Sequence, residues 1–188
     1  MDRKQVSEAL RCNPTAFQPA VFRMDAHLER FRDRARVFGH AVDVAGLAQS
    51  ILEKLESHNF DSAHIRLVAT PDAVSIDLHD TPHDADEPAL FVAIDGRWIA
   101  EQRHDNVARL TLVTLLNADV RELTDRDLLR AEEAFSAGLE IKPLTELRGR
   151  ALAAGPLTRK AQEIYRAAVR GEIRGYEHWL THVGRLLV

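Results

Sequence analysis

VRELTDRDLLRAEEAF (residues 120–135), EIKPL (140–144), RGRALAAGPLTRKAQEIYRAAVRGE (148–172) and YEHWL (176–180) form the stretch whose reading decides the fold. A short strand is read around Val120, and Thr124-Asp125 start a helix that carries Leu128 and Leu129. Residues 133–144 alternate as strands do, and Leu147-Arg148-Gly149-Arg150 reads as a hairpin turn. Pro156 suits the first turn of a last helix, with Leu157, Ala161, Ile164 and Ala168 on its apolar face and Gly171 as its end. Strand and helix periods thus follow one another closely, as in a mixed fold.

The same mixture continues upstream. Residues 5–24 read as two short strands around Asn13-Pro14. Asp25 caps a helix in which Leu28, Phe31, Ala35 and Phe38 recur at helical spacing, closed by Gly39, with Arg30, Arg32, Arg34 and Arg36 off that stripe. A second helix starts after Asp43 and carries Val44, Leu47, Ile51 and Leu55 on one face. AHIRLVA (63–69), AVSIDLH (73–79) and PALFVAID (88–95) read as strands, and Gly96 ends the lobe. From Asp105 a helix follows with Val107, Leu110, Val113 and Leu116 on one side. The reading is an α+β fold of two lobes, residues 1–100 and 101–188, meeting at the polar stretch Ala100–Asn106.

A chain of 188 residues with 45% hydrophobic and 29% charged residues has the composition of a globular protein. Its formal net charge of −4 gives no electrostatic reason to expect nucleic acid or an anionic membrane as partner. No apolar run is long enough to span a bilayer, so a cytoplasmic location is expected. Cys12 is the single cysteine, which excludes an internal disulfide and a Cys-rich zinc site. Lysine is scarce: only Lys4, Lys54, Lys142 and Lys160 are present.

These motifs resemble the branched-chain aminotransferases, fold-type IV enzymes dependent on pyridoxal 5'-phosphate (PLP). The C-terminal stretch quoted above carries the resemblance first. VSEALRC (6–12), AVFRMDAHLERFRDRARVFG (20–39), AHIRL (63–67) and PALFVAIDGRWI (88–99) extend it in the family's order, with Ser7 where an aromatic is usual and Ala9 where glycine is usual. It implies the small domain of a fold-type IV aminotransferase joined to a shortened remnant of the large domain. By position, Arg30 matches the arginine that contacts the cofactor phosphate, and Arg66 matches one associated with the substrate carboxylate. His64 stands where the family usually has tyrosine. A guanidinium suits either anion because its planar fork donates two parallel hydrogen bonds. On the residues alone, a solvated helix face for Arg30 and a structural ion pair for Arg66 stay open.

The resemblance also has a gap. The family's Schiff-base lysine, the acid serving the pyridine nitrogen and the Gly-Ile-Thr phosphate site have no counterpart, and none of the four lysines matches the missing one. No cofactor is therefore expected, non-covalent PLP binding being the residual case. The resulting expectation is an aminotransferase-like, non-catalytic protein that binds a small carboxylate- or phosphate-bearing metabolite, as a homodimer or docked on a partner enzyme. The alternatives are a PLP-independent enzyme on an amino- or keto-acid-derived substrate, and a metal-dependent enzyme using the loop His79–Glu87. That loop offers His79 and His83 among carboxylates, but HDTPHDADE has no recognised ligand spacing, and a solvated acidic loop is the simpler reading. His58 and His104 are scattered, and Tyr176, His178 and Trp179 read as packing for the tail.

Overall fold

The computed structural model describes residues 5–15, 18–58, 62–80, 87–103 and 106–184. In chain order the elements are β1 (Val6–Asn13), β2 (Ala20–Phe22), α1 (Met24–Val37), α2 (Val44–His58), β3 (Ala63–Ala69), β4 (Val74–His79), β5 (Ala89–Ile94) and β6 (Arg97–Glu101). They continue with α3 (Val107–Leu116), β7 (Asp119–Arg121), α4 (Asp125–Arg130), β8 (Glu133–Ala137), β9 (Ile141–Pro143), β10 (Glu146–Leu147), β11 (Arg150–Ala151), α5 (Pro156–Val169), a 3-10 turn (Glu177–Trp179) and β12 (Leu180–His182). Among the described residues no helix is long and apolar enough to cross a membrane.

Two compact units result, one of residues 1–85 with 169–188, the other of residues 86–168. The division differs from a boundary at residue 100 for a physical reason. Asp95 and Gly96 both take positive φ, 51° and 72°, and make the tight turn of a β5–β6 hairpin. β5 also pairs with β8, so PALFVAID belongs to the second sheet and not to the first lobe. The C-terminal segment then returns to the first unit, where β12 pairs with β2.

In the first unit the sheet order is β12-β2-β1-β3-β4, with every pairing antiparallel. Period-two alternation decides its faces. Val6, Leu10 and Cys12 of β1 and Ala63, Ile65, Leu67 and Ala69 of β3 point to one side and share a core with Leu28, Phe31 and Ala35 of α1 and Leu47, Ile51 and Leu55 of α2. The apolar stripes expected for the two helices are therefore mostly the buried ones, but Phe38, expected to continue the α1 stripe, lies past the helix end and is 41% exposed. Asp25 is not the cap of α1: Arg23, in the left-handed region at φ 47°, occupies that position, and Asp25 lies in the first turn. The Arg23 N–H instead donates to the Trp179 carbonyl at 2.6 Å and its guanidinium lies 4.7 Å from the Trp179 ring, which pins the tail.

In the second unit the sheet order is β7-β6-β5-β8-β9, with only β6–β7 parallel among the described pairs. Phe91 and Phe135 stack on neighbouring strands with ring centres 4.8 Å apart. One expected helix face shifts here. On α3 the buried side is Val107, Ala108, Thr111 and Leu112, leaving Leu110 39% exposed. That helix is apolar on more than one side, so spacing alone selects no stripe. On α4 Leu128 is buried while Leu129 is 63% exposed. Thr124 and Asp127 form a capping box at α4, and Arg121 donates to both Asp127 oxygens at 2.6 and 2.8 Å. The Arg121 guanidinium, with the Thr124 hydroxyl and N–H, holds the Asp127 carboxyl far below the usual carboxylate range.

Candidate functional site

The two faces of the first unit's sheet differ in chemistry. On the helix side, Glu8 takes the place of an apolar residue between Val6 and Leu10 and is fully buried. Three side chains of α1 converge on it. His27 Nδ1 lies 2.7 Å from Glu8 Oε1, Arg30 Nη1 is 2.5 Å from Oε2, and Arg34 Nη1 is 3.5 Å from Oε2. Arg34 also donates to the Ser7 carbonyl at 3.1 Å. His27, Arg30 and Arg34 follow one another at i, i+3 and i+7, which is one side of a helix. Their row lies beside the apolar stripe Leu28, Phe31 and Ala35. Arg30 is neither a solvated face residue nor an open anion site: its side chain is only 14% exposed and holds a buried acid.

The opposite face is polar. Antiparallel partners share a face, so the register sets three rows across β1, β3 and β4. Ser7, Val68 and Ser75 form one, Ala9, Arg66 and Asp77 the next, and Arg11, His64 and His79 the third. Arg66 is half-buried and Asp77 exposed. No ion pair or hydrogen bond joins them, and among the described residues the Arg66 guanidinium has no partner, with Nε buried. A side-chain guanidinium left without an acceptor in a sheet is costly unless something else supplies one. Ala9 adds no side chain beyond Cβ on the β1 flank of Arg66. The face therefore presents a cation with a free fork, His64 and Arg11 in the adjoining row, and a single carboxylate at Asp77.

Arg66 and His64 are brought together on this face, while Arg30 is on the other side of the sheet. His79 is the cross-strand neighbour of His64. His83, His104 and Lys4 lie outside the described residues, as does most of the acidic loop. Among the described residues no group of three or more His, Cys, Asp or Glu is placed to hold a metal ion. Of the remaining lysines, Lys54 of α2 donates through Nζ to the Ile76 carbonyl of β4 at 2.5 Å, on the helix side. Lys142 and Lys160 are exposed on β9 and α5 of the second unit. Glu8 is a residue that sequence reasoning did not single out, and the cross-strand pairing of Asp77 with Arg66 is what it missed. The basic row at i, i+3 and i+7 was the available signal for a buried acid opposite it.

A second buried acid organises the other unit. Glu133 of β8 accepts the N–H of Leu157 through Oε1 at 3.1 Å and that of Thr158 through Oε2 at 2.7 Å, at the start of α5. A side-chain carboxylate thus caps the helix from another element, satisfying two of its orphan donors. Gly155 allows the close approach, since a Cβ there would collide with the Glu133 carboxylate.

No family model matches the chain. A curated relative, the Aquifex aeolicus protein named "Probable branched-chain-amino-acid aminotransferase", is 30% identical over 109 residues, covering 50% of this chain and 35% of that protein. The match thus spans about a third of the relative's length. The branched-chain aminotransferase of Thermoproteus uzoniensis, solved with norvaline, superposes with a TM-score of 0.84 at 21% identity, covering 96% of this chain and 90% of that one. The Escherichia coli enzyme gives 0.80 at 20% identity, covering 96% and 90%. The Thermobaculum terrenum enzyme in its PLP form gives 0.81 at 17% identity, again covering 96% and 90%. The chain has the α+β fold of the branched-chain aminotransferases.

Proposed function

We propose that this aminotransferase-like chain is a non-catalytic binding protein that holds a small carboxylate- or phosphate-bearing molecule on the polar face of its first sheet. Arg66 is the anchor and His64, in the next row, a second polar contact. The observation that carries the reading is the Arg66 guanidinium, set in the middle of β3 with a buried Nε and no partner among the described residues. A planar fork in that state is suited to bidentate capture of a carboxylate or phosphate. Arg30 contributes through architecture, by tying α1 to Glu8 across the core.

PLP chemistry needs an amine placed to form an imine with the cofactor aldehyde. Among the described residues of the first unit no lysine stands on the Arg66 face: Lys54 is held at the Ile76 carbonyl on the helix side. The residues around Arg66 therefore do not fit the cofactor as a covalent partner. This supports binding over transamination as the present role.

Thermal-shift titration against simple carboxylates and phosphorylated metabolites tests the reading. At least one is expected to raise the melting temperature of the native chain, and Arg66→Ala is expected to weaken that binding by about 10–100-fold, the range of one or two charge-assisted hydrogen bonds. An unchanged response in Arg66→Ala sinks it. The reading includes self-association: Val37, 79% exposed, and Phe38, 41% exposed, stand together at the end of α1, as an apolar contact for a second copy would. Light scattering is expected to give the mass of a dimer; a monomer at all concentrations removes that part.

A further inference from the structure

We propose that Lys54 guards the open edge of β4, and that this edge, once the ammonium is withdrawn, pairs antiparallel with the β4 edge of a second copy. Among the described residues β4 is the outer strand of the first sheet. The hairpin joining it to β3 fixes which of its backbone groups point outward. The Thr70 N–H donates to the Ala73 carbonyl at 2.9 Å, so these two residues face each other as a hydrogen-bonded pair. Such pairs alternate along an antiparallel ladder, which makes Val68–Ser75, Arg66–Asp77 and His64–His79 the pairs bonded between β3 and β4. The N–H and C=O groups of Val74, Ile76 and Leu78 therefore point away from β3, as a template for another strand.

Lys54 of α2 meets that template at its midpoint. Its Nζ donates to the outward Ile76 carbonyl at 2.5 Å, which is the central acceptor an added strand needs. An incoming strand must displace the ammonium or leave its own N–H without an acceptor there. The sheet repeats the device on its other open edge. Among the described pairs β2 meets β1 only at Cys12 and Asn13, and the same alternation turns the Ser7 carbonyl away from β3. Arg34 of α1 donates to that carbonyl at 3.1 Å. Each helix thus sends one cation to a carbonyl on an open edge, a known way to keep strands from pairing between molecules.

The sequence of β4 also fits a second copy of itself. Antiparallel pairing centred on Ile76 sets Val74 opposite Leu78 on the apolar side and Ser75 opposite Asp77 on the polar side. No like charges then face each other. Centring on Asp77 would set two carboxylates opposite, which is destabilising, so the Ile76 register is the favoured one.

Lys54→Met keeps a long stem and a good helix former while removing the ammonium, and light scattering with amide exchange reads the result. At equal concentration its mass is expected to be about twice that of the native chain, whatever assembly the native chain forms. The N–H groups of Val74, Ile76 and Leu78 are expected to exchange about tenfold or more slowly in the variant, and more slowly still as concentration rises. Lys54→Arg is expected to keep the native mass, because a guanidinium can hold the same carbonyl. Adding Ser75→Asp to Lys54→Met sets a carboxylate opposite the second copy's Asp77 and is expected to restore the native mass. Ser75 is exposed, so this second change leaves the fold intact. Native mass with unaltered exchange in Lys54→Met overturns the proposal. So does a larger assembly that survives Ser75→Asp, that forms without slowed exchange at those three positions, or that forms equally in Lys54→Arg.

Discussion

Glu8→Ala is expected to destabilise the first unit by about 3–5 kcal/mol, the cost of removing one partner from a buried ion pair. The side chain is fully buried and receives His27, Arg30 and Arg34 from a single helix face. Its loss leaves the Arg30 guanidinium, itself only 14% exposed, without the acceptor that justified its burial. Glu8→Gln keeps the volume and part of the hydrogen bonding, so it is expected to cost less, about 1.5–3 kcal/mol. The pair Glu8→Leu with Arg30→Met removes both charges and is expected to recover much of the loss, because well-packed apolar groups can replace a buried ion pair. Urea unfolding followed by circular dichroism measures all three. A Glu8→Ala loss below about 1 kcal/mol would mean that α1 is not held to β1 by this cluster.

Glu133→Ala is expected to destabilise the second unit by about 2–4 kcal/mol. About half of that is loss of a helix N-cap, and the rest is the desolvation of N–H groups left without an acceptor. Thr158, whose N–H donates to Oε2 at 2.7 Å, is fully buried, so water cannot readily take over. Glu133→Gln retains one acceptor oxygen and is expected to fall between. The result to look for is early loss of α5, read as lost amide-exchange protection at residues 157–160 while β5 and β8 stay protected. Uniform loss across the unit would place Glu133 in the general core instead of at the cap.

Much of this architecture was legible because alternation and helical spacing report burial directly. AHIRLVA became β3 as read, and Leu47, Ile51 and Leu55 are the buried face of α2. What failed was non-local or two-sided. The Asp95-Gly96 dipeptide between apolar runs is a hairpin signal, yet PALFVAID was assigned to the first lobe, since its pairing with β8 depends on residues 133–137. The return of β12 to β2 likewise joins residues far apart in sequence, which no local period encodes. The α3 face went wrong because apolar residues occur on more than one side of that helix, and packing alone decides which are covered.

The site was legible in part. The resemblance pointed to Arg66, a charge in the middle of a strand, and to His64 where the family usually has tyrosine. The role of Arg30 could not be settled from α1 alone, because its partner Glu8 sits on another element. Glu8 drew no reading of its own in the sequence, whereas the fold makes it the acid on which His27, Arg30 and Arg34 converge. The place of Asp77 opposite Arg66 became visible only when β3 and β4 were set in register.

The proposed role has the aminotransferase fold serve binding without an imine-forming lysine. Incubation with excess pyridoxal phosphate, borohydride reduction and intact-mass analysis with peptide mapping tests it most directly. The account predicts only substoichiometric pyridoxyl adducts scattered over the exposed lysines, with no imine absorbance that an added amino acid discharges. One stoichiometric adduct on a single lysine, formed with an absorbance band that amino acid removes, would contradict it.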